Sequence, residues 1–253
     1  MIIIKTQKEI DVMREGGHEL ARIVDELGKM ARPGVSTHEI DERARALIFD
    51  FGGIPIFEGY GDPANPYPGA VCASINSEIV HGIPRKDRIL KEGDILKIDI
   101  GMKYKDLITD MARTFPVGYI SERAKKIISV TKKSLDLGIA SIVAGKKMSE
   151  YSRTVERFVE AKGYSIIKEL VGHGVGRYLH EEPQIPNYVT RGKDVVWREG
   201  MTIALEPMVN EGTHNIKLEE DGWTYVTMDG LLSAHFEDTI VITKGGVEIL
   251  TRV

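Results

Sequence analysis

A repeated ten-residue stretch, each copy ending in a carboxylate, constrains the fold of this 253-residue chain more than any other feature. Residues 90–99 (LKEGDILKID) align without a gap on residues 197–206 (WREGMTIALE). In both copies Glu-Gly opens an apolar run typical of a strand, and the carboxylate follows the glycine by six residues. A buried carboxylate costs free energy unless a positive group meets it. Because this cost recurs at matching positions, we expect Asp99 and Glu206 to face one shared cation site.

The helix signals repeat in the same way. Capping boxes and apolar spacing predict helices over about 7–31, from Ser36 to about Gly52, and over about 122–143 and 149–162. Each half therefore has two helices followed by strands that end in a carboxylate. We predict an α+β fold with one domain over residues 1–253. Its two duplicated halves (about 1–118 and 119–253) should pack about a pseudo-twofold axis.

Residues 94–114 predict a β-hairpin that carries two aspartates. With a turn centred between Tyr104 and Lys105, Asp99 and Asp110 would be direct cross-strand partners, with Cβ atoms roughly 4.5–5.5 Å apart. Two ionised carboxylates at about 5 Å repel by about 3 kcal/mol at an effective dielectric constant near 20. A shared proton or a bound metal ion would relieve this repulsion.

The second half adds two carboxylates and a histidine to this pair. Glu206 and Glu237 each follow a strand-like run, and His173 stands between glycines in Val-Gly-His-Gly-Val-Gly. Four carboxylates carry too much charge to share one proton, and a carboxylate-rich set with one imidazole suits divalent first-row metal ions. His81 and His180 also stand out, as metal ligands, proton donors or buried core residues.

Composition and charge exclude several function classes. The net charge of −4 offers no basic excess for nucleic acid. No apolar run has the length of a signal peptide or a membrane span, and the single cysteine, Cys72, excludes an internal disulfide framework. We expect a soluble, cytoplasmic protein that binds neither a membrane nor a specific nucleic acid.

Seven motifs make the chain similar to the type I methionine aminopeptidases, which are M24 metallopeptidases. They are CASINSEIVHGIP at 72–84, DILKIDIG at 94–101, TDMARTF at 109–115, GHGVGRYLHEEP at 172–183, IALEPMV at 203–209, DGWT at 221–224 and SAHFEDTIVIT at 233–243. The resemblance covers essentially the whole chain. It implies the pita-bread fold, in which helices lie outside a curved antiparallel sheet.

The resemblance also implies a role for each site residue. Two divalent metal ions (Co, Mn, Fe, Zn or Ni) would be bound by Asp99, Asp110, His173, Glu206 and Glu237. A metal-activated water would attack the first peptide bond of a protein that begins with methionine and has a small second residue. Glu206 would move the proton. His81 and His180 would contact the substrate amide and stabilise the developing charge.

Further expectations follow from the same resemblance. The methionine side chain would enter a pocket that includes Tyr67, Cys72 and Trp223, because aromatic and sulfur-bearing walls suit a thioether. A monovalent cation would bind near Asn76 and Ser233. The substrates would be nascent polypeptides with N-terminal methionine. The enzyme would be a monomer that associates transiently with the ribosome.

Four features depart from the family pattern. The turn-rich loop 59–69 is longer than in bacterial relatives, and Leu179 stands where many relatives have phenylalanine. His235 replaces a glutamine and Asp238 replaces a histidine. The last two changes leave the ligand set unaltered.

Two other functions fit parts of the pattern. Proline-specific peptidases of the prolidase and creatinase group share the five ligands, but they usually carry a separate N-terminal domain for which this chain is too short. The Asp-Gly-Trp-Thr motif also favours a methionine enzyme. A metal-free binding module on the same scaffold is expected to have lost ligands, and all five are present here.

Overall fold

The computed structural model describes residues 1–192 and 194–253. Four helices lie in these ranges: α1 (Gln7–Gly28), α2 (Thr37–Phe51), α3 (Glu122–Ala140) and α4 (Ser149–Ala161). All four helices were predicted, although α1 and α3 end a few residues before the predicted limits. In the described ranges, none of the helices combines the length and the apolar character that a membrane span needs.

The first two helices begin at the predicted capping boxes. The Thr6 hydroxyl accepts a hydrogen bond from the Glu9 backbone N–H (3.3 Å), and the Thr6 backbone N–H donates to the Glu9 carboxylate (2.8 Å). Ser36 and Glu39 make the same reciprocal pair. These bonds satisfy N–H groups that have no partner within the helix. The second helix ends at Gly52, whose φ of 84° favours a residue without a Cβ.

The strands form antiparallel pairs throughout the described part of the chain. They are β1 (Ile54–Pro55), β2 (Cys72–Ile75), β3 (Glu78–Val80), β4 (Ile95–Tyr104), β5 (Leu107–Pro116), β6 (Ser165–Ile166), β7 (Gly172–Gly174), β8 (Glu181–Ile185), β9 (Thr202–Leu205), β10 (Met208–Asn210), β11 (Ile216–Leu218), β12 (Tyr225–Thr227), β13 (Ser233–His235), β14 (Asp238–Thr243) and β15 (Gly246–Ile249).

Hydrogen bonding divides the described strands into four sheets. The first has the order β1-β4-β2, with β5 paired to β4, and the largest has the order β15-β14-β9-β7-β8. Two three-stranded sheets have the orders β13-β10-β6 and β11-β12-β3. An isolated bridge between Ala112 on β5 and Glu237, just before β14, joins the first sheet to the largest one.

The hairpin of β4 and β5 has a different register from the one predicted. Its turn is formed by Lys105 and Asp106, which have φ values of 46° and 67°. Asp99 therefore pairs with Ala112, and the prediction that Asp99 and Asp110 are direct partners is wrong. The reason is a two-residue turn with both residues in the left-handed region, which suits the twist of a hairpin. Asp110 remains on the same face as Asp99, as a diagonal neighbour.

Two large apolar clusters support the strands. One packs residues of α1 and α2, such as Leu20 and Ile40, against β2, β4 and β5. The other packs residues of α3 and α4, such as Ile127 and Val155, against strands of the second half that include β9 and β14. The repeated Glu-Gly pairs also share a conformation, because Gly93 and Gly200 have φ values of 91° and 82°. The boundary near residue 118 and the duplication stay predictions.

Candidate metal centre

One cavity of about 480 Å³ contains every residue that the sequence predicted for divalent-metal binding, proton transfer or substrate contact. These ten residues all line it: Tyr67, Cys72, His81, Asp99, Asp110, His173, His180, Glu206, Trp223 and Glu237. They are distributed over 171 positions of sequence, from Tyr67 to Glu237, so only the tertiary fold brings them together.

Strands from widely separated parts of the sequence deliver the predicted ligands. Asp99 and Asp110 project from β4 and β5, while His173 lies on β7 and pairs with Ala204 of β9. Glu206 follows β9 directly. The Glu237 backbone N–H donates to the Ala112 carbonyl (2.9 Å), which fixes Glu237 beside β5. The strand ladders thus hold these side chains on rigid elements.

The ligand atoms converge closely. Asp110, His173 and Glu237 each place one candidate ligand atom within 4.8 Å of the others. His173 Nε2 also lies 3.4 Å from Glu206 Oε1. Asp99 Oδ1, Asp110 Oδ1 and Glu237 Oε1 are buried and have no hydrogen-bond partner among the described residues. Because an unpaired buried carboxylate oxygen is costly, this set fits bound cations.

The electrostatics of the cluster agree with that fit. Burial raises the pKa of Asp110 to about 7. Burial, and then the charges of the neighbouring carboxylates, raise the pKa values of Asp99, Glu206 and Glu237 well above their ordinary range. Divalent cations would reverse these shifts, because carboxylates must be deprotonated to act as ligands.

His173 has the form that a metal ligand needs. Burial, and then the proximity of His180, lower the pKa of His173 to about 4, so the imidazole is neutral near pH 7. Its Nδ1 lies 2.9 Å from the carbonyl oxygen of Gly174. Since a carbonyl only accepts, Nδ1 carries the proton and Nε2 keeps its lone pair for the cavity.

The two remaining predicted histidines lie beside this cluster. The His180 ring packs edge-on against His173 with centroids 4.5 Å apart, and burial lowers its pKa. His81 adopts a φ of 58° after β3, and burial followed by the charge of His180 lowers its pKa to about 4. Both imidazoles are therefore neutral near pH 7 and can take part in hydrogen bonds without adding charge.

Tyr60 is a site residue that the sequence argument missed. Its hydroxyl lies 2.6 Å from His180 Nδ1, and the residue lines the same cavity. With Tyr60 as the donor, His180 carries its proton on Nε2. The only sequence signal was an aromatic residue in the turn-rich loop 59–69, and nothing local in that loop indicates a contact 120 positions away.

The predicted methionine pocket adjoins the carboxylates directly. Cys72 on β2 pairs with Asp99 on β4, so a pocket wall and a predicted ligand are strand neighbours. The Tyr67 and Trp223 rings meet edge to face with centroids 5.2 Å apart. Trp223 Nε1 donates to the carbonyl of Asn65 (3.1 Å), which ties loop 59–69 to the pocket. Leu179, one of the departures from the family pattern, also lines the cavity.

The substituted positions beside Glu237 have separate environments. His235 is 1% exposed, and its Nε2 lies 3.8 Å from Glu206 Oε2 and 3.9 Å from Glu237 Oε2. Neither of its ring nitrogens has a hydrogen-bond partner in the described ranges. Asp238 instead forms ion pairs with Arg113 and Arg252. His235 therefore belongs to the surroundings of the carboxylate cluster, and Asp238 to a separate ion-pair network.

Lys97 lies where the resemblance predicted a monovalent cation. Its Nζ donates to the backbone carbonyl oxygens of Asn76 (2.8 Å) and Ser233 (3.0 Å). Burial lowers the pKa of Lys97 to about 7, while the carboxylates of Glu78 and Asp94 act in the opposite direction. The two accepted hydrogen bonds also favour the charged form.

Known proteins share both the sequence and the architecture. Residues 11–244 match the model for Metallopeptidase family M24. The chain is 47% identical over 253 residues to Methionine aminopeptidase 1 of Bacillus subtilis, and the match covers 100% of both chains. The crystal structure of methionine aminopeptidase from Thermotoga maritima matches with a TM-score of 0.96 and 44% identity, covering 100% of both chains.

A more distant structure shares the fold alone. The Xaa-Pro dipeptidase from Bacillus anthracis matches with a TM-score of 0.77 and 22% identity, over 99% of this chain and 62% of that chain. Together with the antiparallel strands and the four helices, these matches confirm the predicted α+β, pita-bread fold.

Proposed function

Because the chain belongs to metallopeptidase family M24, we propose that it removes N-terminal methionine from polypeptides whose second residue is small. It is a metal-dependent hydrolase with the activity of a methionine aminopeptidase. The observation that carries the proposal is the shared cavity. Four carboxylates and a histidine occupy the same cavity as a pocket with aromatic and sulfur-bearing walls.

We infer that two divalent metal ions are held by the five predicted ligands: Asp99, Asp110, His173, Glu206 and Glu237. Four carboxylates balance the charge of two divalent cations, and the neutral imidazole adds a ligand without adding charge. The unpartnered oxygens of the carboxylates support this assignment. When bound, the ions would activate a water molecule and polarise the carbonyl of the first peptide bond.

Side chains of the protein would transfer the proton during hydrolysis and donate hydrogen bonds to the substrate. Glu206 lines the cavity together with the other predicted ligands, and its carboxylate can accept a proton from the attacking water and release it to the leaving amine. With Tyr60 at Nδ1, His180 presents an Nε2–H that can donate to the substrate carbonyl oxygen. We assign His81 the neighbouring contact with the substrate amide, because it lines the cavity as a neutral imidazole.

Two parts of the cavity would set the substrate specificity: the pocket for the methionine side chain and the rim near the second residue. Tyr67, Cys72 and Trp223 offer an apolar, polarisable surface, which suits the thioether of methionine. Loop 59–69, tied to Trp223, would form the rim that limits the size of the second residue. We further propose that the substrates are nascent polypeptides met in the cytoplasm. There the enzyme would act as a monomer with transient ribosome contact.

A peptide assay tests the proposed function. The metal-loaded chain should release methionine from Met-Ala-Ser, should cleave Met-Lys-Ser at least about tenfold more slowly, and should leave Xaa-Pro peptides intact. A chelator should remove the activity, and Mn²⁺, Fe²⁺ or Co²⁺ should restore it. Cleavage of the Xaa-Pro peptides alone would assign the chain to the proline-specific enzymes instead. Activity unaffected by the chelator would refute the metal centre.

A further inference from the structure

We propose that Lys97 is a positioning residue whose ammonium group serves as a built-in monovalent cation, so that this chain needs no free sodium or potassium ion to hold its metal-ligand strands. Lys97 is 1% exposed, and its charge meets the backbone carbonyl oxygens of Asn76 and Ser233. A lysine in the buried part of β4 is costly to bury, and neither the proposed hydrolysis nor substrate binding uses it.

Hydrogen bonds that do not involve Lys97 hold the Asn76 and Ser233 backbones in place. Asn76 adopts a φ of 52° in the turn between β2 and β3, and its side chain donates to Asp94 (2.8 Å) and accepts from the Ile95 backbone N–H (3.0 Å). The Asn76 carbonyl also accepts from the Ser233 backbone N–H (3.1 Å). The result is a fixed pair of oxygen acceptors at a junction between the two halves.

Paired carbonyl oxygens are ligands of the hard type that alkali cations prefer. An ammonium group is a compact point charge with three donors, and can take the place of such an ion. Lys97 satisfies both oxygens from a strand of the first half, while Ser233 belongs to β13 of the second half. The lysine therefore links the two halves through a group that is covalently attached to the chain, whereas a free ion could leave.

Lys97 and Ser233 each lie close in sequence to a predicted metal ligand. Lys97 precedes Asp99 by two residues on β4, so both side chains project from the same face. Ser233 precedes Glu237 by four residues. Thr114, the cross-strand partner of Lys97, donates from its hydroxyl to the His235 carbonyl (2.7 Å). Loss of the Lys97 charge should therefore shift β13, and with it Glu237, relative to β4.

Two variants separate the charge from the volume of the side chain. Lys97→Ala removes the ammonium group and leaves space beside the two carbonyl oxygens. Lys97→Met removes the charge and fills most of the space. Each protein, and the wild type, is measured in potassium chloride, sodium chloride and choline chloride at equal concentration, because choline is too large for the site and controls for ionic strength.

Two readouts are required. The first is the melting temperature of the metal-free protein, which does not depend on the proposed peptidase activity. The second is the Mn²⁺ affinity measured by calorimetry. The wild type should give the same values in all three salts. Lys97→Ala should bind Mn²⁺ at least about tenfold more weakly in choline chloride. Potassium or sodium should restore its affinity and melting temperature along a saturable curve, and should not restore those of Lys97→Met.

Several outcomes would overturn the proposal. A saturable potassium or sodium dependence in the wild type would show that a free ion is required. This wild-type measurement tests the proposal even if Lys97→Ala fails to fold. Wild-type affinity and melting temperature for Lys97→Ala in choline chloride would show that the charge has no positioning role. Equal restoration of the Ala and Met variants would show a general salt effect.

Discussion

Glu237 and Asp238 are adjacent in the chain and both buried, yet their carboxylates have opposite environments. Asp238 accepts hydrogen bonds from the guanidinium groups of Arg113 (2.6 Å) and Arg252 (2.6 Å) and from the Thr251 hydroxyl (3.0 Å). Glu237 Oε1 has no partner among the described residues, and the charges nearest to it are other carboxylates. Because consecutive residues of a strand point to opposite faces, one face holds ion pairs and the other is arranged for cations.

The contrast separates stability from function. Removing a buried carboxylate that pairs with two arginines destabilises the folded protein, because it leaves those guanidinium groups without compensation. A cluster of carboxylates without partners raises that free energy until an ion binds. Unfavourable burial of this kind is typical of functional sites. Substitutions on the two faces should therefore affect different properties of the protein.

The largest expected effect belongs to the cation face. Asp110→Asn should reduce cleavage of Met-Ala-Ser by more than about 100-fold, beyond the range typical of residues that only support metal ligands, because the amide cannot replace an anionic ligand. The circular dichroism spectrum should stay close to that of the wild type. Full activity with metal bound would contradict the assignment of Asp110 as a ligand.

On the ion-pair face, Asp238→Asn should act mainly on stability. Removing one partner of a buried pair costs about 3–5 kcal/mol. Since Arg113 and Arg252 are partly exposed, we expect a loss of roughly 2–3 kcal/mol in the free energy of unfolding, measured with denaturant. Cleavage per folded, metal-loaded molecule should fall by less than about tenfold. An unchanged stability together with lost activity would place Asp238 in the metal centre instead.

The two faces should also differ in their pH dependence without metal. The pKa of Asp110 is raised from 3.8 to about 7, so the folded protein holds a proton that the unfolded chain has already released. The stability contributed by this group is complete below about pH 4 and is lost as the pH rises through about 7. As the pH rises from about 4.5 to about 7.5, Asp110→Asn should therefore gain about 3 kcal/mol in the free energy of unfolding relative to the wild type.

The same comparison needs a matched control. Asp25→Asn changes an exposed aspartate of α1. Its free energy of unfolding relative to the wild type should show no comparable rise across the same pH range. Denaturant unfolding in the presence of a chelator measures all three proteins. A constant difference between Asp110→Asn and the wild type across the pH range would mean that the cluster does not hold protons in the absence of metal.

The smallest effect is expected at His235, which lies within 3.9 Å of two predicted ligands but outside the cavity lining. His235→Gln introduces the residue that the resemblance leads one to expect there. Because glutamine can also donate to a carboxylate, we expect Mn²⁺ affinity, measured by calorimetry, to change by less than about tenfold. His235→Leu, which cannot donate, should lose about 10–100-fold. Equal affinities for both variants would exclude a donor role.

Much of this architecture could be predicted from the sequence because its signals are local. The capping boxes of α1 and α2 and the Glu-Gly pairs before β4 and β9 depend on residues a few positions apart. The repeat relates two distant segments to each other and thereby predicts that Asp99 and Glu206 share a site. Family resemblance supplied the roles of the remaining residues.

Other features could not be predicted, for identifiable physical reasons. The hairpin register depended on Lys105 and Asp106 both adopting left-handed angles, which residues with a Cβ rarely do. The contact between Tyr60 and His180 joins two loops whose positions are set by packing elsewhere. A lysine at position 97 would be expected to face solvent on a one-sided sheet, and its burial follows from the approach of β13.

The most direct test of the metal centre is a crystal structure of the protein grown with Mn²⁺, with anomalous scattering recorded to locate the ions. Two anomalous peaks are expected between Asp99, Asp110, His173, Glu206 and Glu237, with Asp238 still paired to its arginines. An empty cluster at saturating Mn²⁺, or ions bound at other side chains, would contradict the assignment of these five residues.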